Sequence, residues 1–117
     1  MKAVSFVLAA SVLLSTSAHA GNKPLSVPAD WRAKYFVVDK SWRGGERVIV
    51  MKRVARDGTR YSKHLYNCEK NTVRSLGEGG SLEEMEAVEP ETKMGLITPD
   101  SISYFISIEA CRYLKET

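Results

Sequence analysis

The sequence predicts an α+β fold in which an antiparallel sheet of about four or more strands is packed by a C-terminal helix, with one disulfide. Three observations carry this prediction. Segments rich in β-branched and aromatic residues alternate with glycine-containing turns, an amphipathic segment opened by a proline follows them, and the chain contains two cysteines. A chain of 117 residues has room for one small domain.

The first 20 residues are interpreted as a signal peptide. Met1-Lys2 is positive, Ala3–Leu14 is mostly apolar, and Ala18-His19-Ala20 is the small-x-small pattern that signal peptidase accepts. The apolar run is too short to span a bilayer, so we expect no membrane-spanning segment. The mature chain is then a single domain over residues 21–117, located in the periplasm, outside the cell or at the cell surface.

The middle of the chain predicts strands joined by short turns. Residues 21–30 contain two prolines and no periodicity, which indicates an extended lead-in. Turns are expected at residues 40–45, 56–58 and 69–71, where glycine, asparagine and aspartate cluster. The predicted strands are Trp31–Asp39, Glu46–Ala55, Thr59–Cys68 and roughly Thr72–Leu76.

The register of the second turn can be predicted from charge. A two-residue loop at Asp57-Gly58 would place Lys52 opposite Lys63, a destabilising like-charge pair. A three-residue loop with Gly58 in the left-handed conformation avoids this contact and is therefore expected. It would pair Lys52 with Ser62 and Ile49 with Leu65.

Two helical segments are predicted after the strands. Ser81-Leu-Glu-Glu84 is a capping box that starts a short helical turn through about Ala87. Thr98-Pro99-Asp100-Ser101 supplies an N-cap and a proline at the first helical position, so a helix is expected over Pro99–Leu114. Its apolar stripe comprises Ile102, Phe105, Ile106 and Ala110, flanked by Tyr104, Ile108 and Cys111.

Cys68 and Cys111 are the only cysteines. In an exported chain two cysteines predict one disulfide, which would tie the helix to the end of a strand. The alternative, a reactive or metal-binding thiol, needs a base or further ligands, and His64 is the only histidine after residue 20.

Charge is segregated along the chain. Residues 32–74 carry 12 basic and 4 acidic residues, whereas residues 75–117 carry 3 basic and 9 acidic residues. The predicted hairpin of residues 46–68 lies in the basic segment, and we call it the basic hairpin. Such a surface attracts anionic macromolecules, although nucleic acid is not expected as the partner of an exported protein. The alternative is a solvated sheet face partly covered by the acidic segment. The candidate partner-binding residues are Trp42, Arg43, Arg47, Arg53, Arg56, Arg60 and Lys63.

No constellation of residues indicates catalysis, a metal or a cofactor, so we expect no enzyme. His64 beside Ser62 lacks the sequence context of a nucleophile. The glutamates of residues 83–91 do not follow a calcium-loop pattern, and the glycines of residues 77–80 precede no Lys-Ser/Thr, so neither predicts a ligand site. Trp31 and Trp42 are expected in the core or covering the sheet, with an exposed Trp42 at a loop tip as the alternative.

Several segments resemble the surface-adhesin protein E-like family of small exported bacterial domains. YFVVDKS (residues 35–41), ERVIVMKRVA followed by YSKHLYNC, NTVRSLG, and ITPDS with Cys111 ten residues later match the family in order and spacing. The resemblance covers residues 31–111 and implies an antiparallel sheet, a C-terminal helix and the Cys68–Cys111 disulfide. A tryptophan common before the terminal proline is absent, and Met94 or Leu96 is expected to replace its packing. The namesake binds host matrix proteins and haem-type ligands, but none of its binding motifs matches residues here.

Two functional hypotheses follow. The first is an exported, non-enzymatic envelope or surface domain that binds a macromolecular partner, an anionic macromolecule or protein, through the basic hairpin. The second is a periplasmic enzyme inhibitor or immunity protein that inserts a loop, either Lys40–Glu46 or Ser75–Glu91, into an enzyme. The oligomeric state cannot be predicted from the sequence.

Overall fold

The computed structural model describes residues 22–112, so the predicted signal peptide lies outside the described residues. Short 3₁₀ and α-helices accompany one antiparallel sheet. The strands are β1 (Lys23–Leu25), β2 (Lys34–Arg43), β3 (Glu46–Ala55), β4 (Gly58–Asn67), β5 (Thr72–Gly79) and β6 (Gly95–Leu96). The helices are the 3₁₀ turn Pro28–Asp30, α1 (Leu82–Ala87) and α2 (Ile102–Ala110).

The six strands form an antiparallel meander in the order β1-β2-β3-β4-β5-β6. The fold is therefore broadly α+β as predicted, with more strand than expected. Both additional strands are edges. β1 lies inside the predicted lead-in and pairs Lys23 with Val37, and the two-residue β6 pairs Leu96 with Thr72.

The first long hairpin is tighter than predicted. The turn expected over residues 40–45 is mostly strand, because β2 continues to Arg43 and only Gly44 and Gly45 form the turn. Gly44 has a φ of 60°, which a glycine adopts without steric cost. A β-bulge between Val37 and Asp39 shifts the register of β2 on β3.

The register of the β3–β4 hairpin differs by one residue from the prediction. Ala55 pairs with Gly58, so the loop is Arg56-Asp57, and Lys52 lies opposite Tyr61 instead of Ser62. This register also avoids the lysine pair, since Lys63 lies opposite Val50. The prediction was wrong because charge repulsion between opposed residues does not fix the register of this hairpin. Arg53 lies opposite Arg60 in the observed register, and each is paired with an acidic residue.

Both faces of the sheet are covered, which gives two apolar clusters. The larger cluster lies under α2 and includes Tyr35, Ile49, Met51, Tyr66 and Ile106. The smaller lies on the opposite face and comprises Val48, Leu65 and Leu76, with Met94 packed against it. Met94 and Leu96 were the two residues expected to replace the packing of the missing tryptophan. Met94 packs against this cluster, whereas Leu96 is 81% exposed.

The terminal helix begins later and ends earlier than the predicted Pro99–Leu114, because α2 spans Ile102–Ala110 and Cys111 forms a turn. Asp100 has a φ of 62°, and the Ser101 amide donates to the Thr98 carbonyl in a turn that precedes the helix. The side chain of Ser101, not that of Thr98, caps α2 by accepting the Tyr104 amide at 3.1 Å. Pro99 is thus outside the helix. The capping serine of α1 was predicted correctly, since the Ser81 hydroxyl accepts the Glu84 amide at 3.1 Å.

The predicted disulfide is present. Cys68, directly after β4, is bonded to Cys111 at the end of α2, with the two Cα atoms 5.9 Å apart. It closes a 43-residue separation and fixes the helix to the sheet. No helix among residues 22–112 has the length and apolar character needed to cross a membrane.

Candidate partner-binding surface

The basic hairpin does not form one patch, because neighbouring residues of a strand point to opposite faces of the sheet. Opposed residues share a face, and Arg53 lies opposite Arg60 on the face that also carries Met51 and α2. Lys63 lies opposite Val50 on the other face. The cations that cluster in sequence are therefore divided between the two faces.

Arg53 is held by acidic residues. Its Nε donates to Asp30 Oδ2 at 2.7 Å, and its Nη1 lies 3.7 Å from Asp57 Oδ1. The Tyr35 hydroxyl donates to the same Asp30 oxygen at 2.7 Å. The hydrogen bonds from Arg53 and then Tyr35 lower the pKa of Asp30, while burial and the bond to Asp30 raise the pKa of Tyr35 to about 12. This ion pair joins the 3₁₀ turn to β3.

The acidic half of the chain neutralises two further candidates. Arg60 Nη2 lies 3.1 Å from Glu78 Oε2 on the neighbouring strand, and Lys63 Nζ lies 3.1 Å from Glu86 Oε2 on α1. These pairs are largely exposed, so each contributes little to stability. They do reduce the positive potential of the hairpin, as expected for a basic sheet under an acidic cover.

Trp42 is 61% exposed and lies opposite Arg47 near the Gly44-Gly45 turn. The Arg47 guanidinium carbon lies 5.0 Å from the centre of the Trp42 ring, and Arg47 itself is only 6% exposed. Arg43 is exposed at the same end of the sheet. Trp42 therefore covers a buried arginine on one side and faces solvent on the other.

Trp31 is the most exposed of the tryptophans, at 75%, and the expectation that it lies in the core or on the sheet was wrong. It follows the 3₁₀ turn and stacks with Arg32, whose guanidinium carbon is 4.6 Å from the ring centre.

Three exposed cations lie next to Trp31. Arg32, Lys34 and Arg56 are exposed, and none forms an ion pair with a carboxylate of residues 22–112. Arg56 occupies the β3–β4 loop, and Lys34 starts β2 opposite Val54, so both lie at the same end of the sheet. We call Trp31, Arg32, Lys34 and Arg56 the Trp31 surface.

Two clefts meet at Trp31. A cleft of about 580 Å³ lies on one side, and its apolar lining includes Pro24, Leu25, Pro28, Ala33 and Phe36. A second cleft of about 650 Å³ is lined by Trp31 with Arg32, Arg53, Ala55, Arg56 and Asp57. The indole is shared by both, so apolar and basic surfaces adjoin at one exposed aromatic ring.

The two tryptophans are far apart. Lys34, three residues after Trp31, pairs with Val54 near the end of β3, whereas Trp42 pairs with Arg47 near its beginning. A ten-residue strand spans about 30 Å. Trp42 and Arg56 therefore do not belong to one contiguous patch, and the predicted candidates separate into two ends of the sheet.

A third cleft contains His64. It has a volume of about 640 Å³ and is lined by Tyr35, Arg60, Ser62, His64, Glu78 and Ile102 among others. Burial lowers the pKa of His64, so the imidazole is neutral near pH 7. Within residues 22–112 no group of three or more histidine, cysteine or acidic side chains is placed to hold a metal ion.

A second cluster of charge surrounds Glu109, a buried residue that the sequence reading missed. Its carboxylate is 3.1 Å from Lys23 Nζ, 3.0 Å from Lys40 Nζ and 3.2 Å from Arg112 Nη2. Burial raises the pKa of Glu109, but the lysine hydrogen bonds outweigh it and hold the pKa below its usual value. The spacing of Ile106, Glu109 and Ala110 on one helix face is the signal that would have found it. We call Glu109 with its three cations the Glu109 cluster.

The glycines before α1 serve packing. A Cβ on Gly77 would lie 2.1 Å from the Met85 carbonyl oxygen, and one on Gly79 would lie 2.6 Å from Glu84 Cβ. The backbone of α1 therefore rests directly on β5. The two segments of the inhibitor hypothesis are also ordered by the fold, since residues 40–46 are mostly β2 and residues 75–91 contain the end of β5 and all of α1.

Comparison of the chain with family models, curated proteins and solved structures finds no match. The resemblance to the surface-adhesin protein E-like family therefore stays a prediction.

Proposed function

We propose that this protein is an exported, non-enzymatic domain of the bacterial envelope or cell surface that binds an anionic macromolecule through the Trp31 surface. The observation that carries the proposal is the 75% exposed Trp31, which stacks with Arg32 and shares a cleft with the exposed Arg56. Tryptophan and arginine are the residues that contribute most to binding when they lie at the centre of an interface.

The contact residues that we propose differ in part from those predicted from the sequence. Arg53, Arg60 and Lys63 are engaged by Asp30, Glu78 and Glu86, and Arg47 is buried under Trp42. A cation already paired with a carboxylate adds little attraction for an anionic partner. Of the predicted basic residues, Arg43 and Arg56 are exposed and form no ion pair with a carboxylate of residues 22–112. Arg56 is the one that lies beside Trp31, where Arg32 and Lys34 add further positive charge.

Export is supported by the leader sequence and by the disulfide, because disulfides persist in oxidising compartments. The adhesin-like role would place the Trp31 surface toward a partner outside the cell or within the envelope. The inhibitor hypothesis stays a prediction, since neither of its segments forms an extended free loop in the fold.

Retention on a polyanionic resin tests the proposal. At about 0.15 M salt the protein should be retained, and the double variant Arg32→Gln, Arg56→Gln should elute at clearly lower salt. The control Lys70→Gln, Lys93→Gln removes the same charge from exposed positions near the opposite end of the sheet. Equal loss of retention in both double variants would indicate net charge alone and contradict the proposed surface.

A further inference from the structure

We propose that the partner of the Trp31 surface is a linear acidic glycan, a polysaccharide that carries sulfate or carboxylate groups along its chain. This inference rests on the proposed function and names the chemical class of its partner.

The shape of the surface favours a chain over a compact anion. The apolar cleft beside Pro24 and Phe36 and the basic cleft beside Arg56 meet at Trp31. A ligand that fills both clefts must offer apolar surface to one and negative charge to the other. A sugar ring has an apolar face of C–H groups and a polar edge, so consecutive acidic sugar units meet this requirement.

The pairing of Trp31 with Arg32 supplies both kinds of contact at one point. The indole offers a flat apolar surface on which a sugar ring can stack, and Arg32 already occupies one side of the ring at 4.6 Å. Stacking restricts the guanidinium and leaves its donors available for a sulfate or carboxylate, which arginine binds with two parallel hydrogen bonds. Arg56 offers a second such group across the basic cleft.

An extended acidic peptide fits this surface less well. A peptide that binds beside a sheet usually adds a strand to its edge. The edge nearest the apolar cleft is β1, which has only three residues and therefore offers few main-chain groups for pairing. Main-chain pairing with a peptide is therefore disfavoured there.

An anionic membrane also fits less well. Recognition of acidic lipids typically uses four to eight adjacent basic residues. The Trp31 surface has three cations without an acidic partner among residues 22–112, and Asp57 adds a negative charge to the basic cleft. Discrete anionic groups spaced along a polymer suit this arrangement better than a continuous lipid surface.

The test compares five probes with the purified full chain: a sulfated polysaccharide, a carboxylated polysaccharide, neutral dextran, poly-glutamate and phosphatidylglycerol vesicles. We expect at least one acidic polysaccharide to bind with a lower Kd than the other three probes. Trp31→Ala should then raise that Kd about 30-fold, the size of a binding hot spot. Trp42→Ala, the matched exposed tryptophan, should change it less than about two-fold, and Trp31→Phe should restore part of the affinity.

The outcomes separate the two proposals. Preferential binding of poly-glutamate or vesicles that is lost in Trp31→Ala overturns the glycan inference and leaves the proposed surface standing. Glycan binding that is unaffected by Trp31→Ala overturns both the surface and the inference. Binding of no probe above dextran also overturns both. Circular dichroism of each variant shows whether a lost affinity reflects lost folding.

Discussion

The Glu109 cluster and the Trp31 surface each contain three cations, but they use them in opposite ways. At Glu109 the cations converge on a carboxylate that is only 1% exposed and that joins α2 to β1 and β2. At Trp31 the cations are exposed and none forms an ion pair with a carboxylate of residues 22–112, although Asp57 lines the same cleft. The comparison separates charge that holds the fold from charge that is available to a partner.

This contrast leads to a simple expectation. Changes at the junction of α2 with the sheet should alter the free energy of unfolding and leave partner affinity intact. Changes at the Trp31 surface should do the reverse.

Removal of the disulfide should have the largest effect. In the double variant Cys68→Ala, Cys111→Ala, the unfolded chain is no longer cross-linked between residues separated by 43 positions. The chain-entropy model gives this cross-link a stabilisation of about 4 kcal/mol. Urea unfolding of the two proteins measures the difference. At a temperature where the variant is still folded, its Trp31 surface should bind the acidic polymer normally. If this double variant also lost affinity for the acidic polymer, the junction of α2 with the sheet and the Trp31 surface would not be independent.

Gly77→Ala should cost about 3 kcal/mol, because the new Cβ would overlap the backbone carbonyl of Met85 and force α1 away from β5. Gly45→Ala is the matched control. Its Cβ would meet nothing within 4 Å, so its free energy of unfolding should change by less than about 1 kcal/mol. Similar losses in both variants would contradict the close approach of α1 to the sheet.

Glu109→Gln should destabilise the fold by about 2 kcal/mol, since it removes the charge that accepts hydrogen bonds from Lys23 and Lys40. Glu69→Gln alters an exposed turn and should change the free energy of unfolding by less than about 0.5 kcal/mol. Chemical denaturation at pH 7 compares them. If Glu109→Gln left the free energy of unfolding unchanged, the cost of burying the carboxylate would cancel the stabilisation from its ion pairs.

His64 should make stability depend on pH by a smaller amount. Burial lowers its pKa in the folded state below the ordinary 6.5, so the unfolded chain binds the proton first as the pH falls. The stabilisation is complete above about pH 7 and is lost toward lower pH. We expect the melting temperature to fall between about pH 7.5 and pH 5.5, and this fall to be smaller in His64→Gln. An unchanged pH dependence in the variant would assign the effect to other groups.

A second loss of stability is expected in stronger acid. The pKa values of Asp30 and Glu109 are lowered in the fold, so their stabilisation is present above about pH 4 and is lost as the pH falls through the folded values. This acid transition should persist in His64→Gln.

The sequence predicted the strands from local patterns and missed what depends on both faces of the sheet. β3 was predicted with the observed bounds, because its β-branched run lies between clear turns. The β3–β4 register was wrong because Ile49 and Leu65 were paired on one face, whereas they serve separate clusters on opposite faces. With both faces buried, alternation of apolar residues no longer fixes the register.

The site could be predicted only in part. The segregation of charge was visible, but which cation meets which carboxylate depends on tertiary contacts such as Lys63 with Glu86 and Arg60 with Glu78. Trp31 was assigned to the core or sheet because tryptophan is usually largely buried. Its exposure depends on the 3₁₀ turn that precedes it, which no helical periodicity in the lead-in indicates.

One NMR titration tests the central claim most directly. The indole N–H groups of Trp31 and Trp42 are the only two in the chain, so each gives a separate signal. On addition of a sulfated polysaccharide at about 0.15 M salt, the Trp31 signal should shift and saturate while the Trp42 signal stays in place. A shift of Trp42 alone, or of neither signal, would contradict the assignment of partner binding to the Trp31 surface.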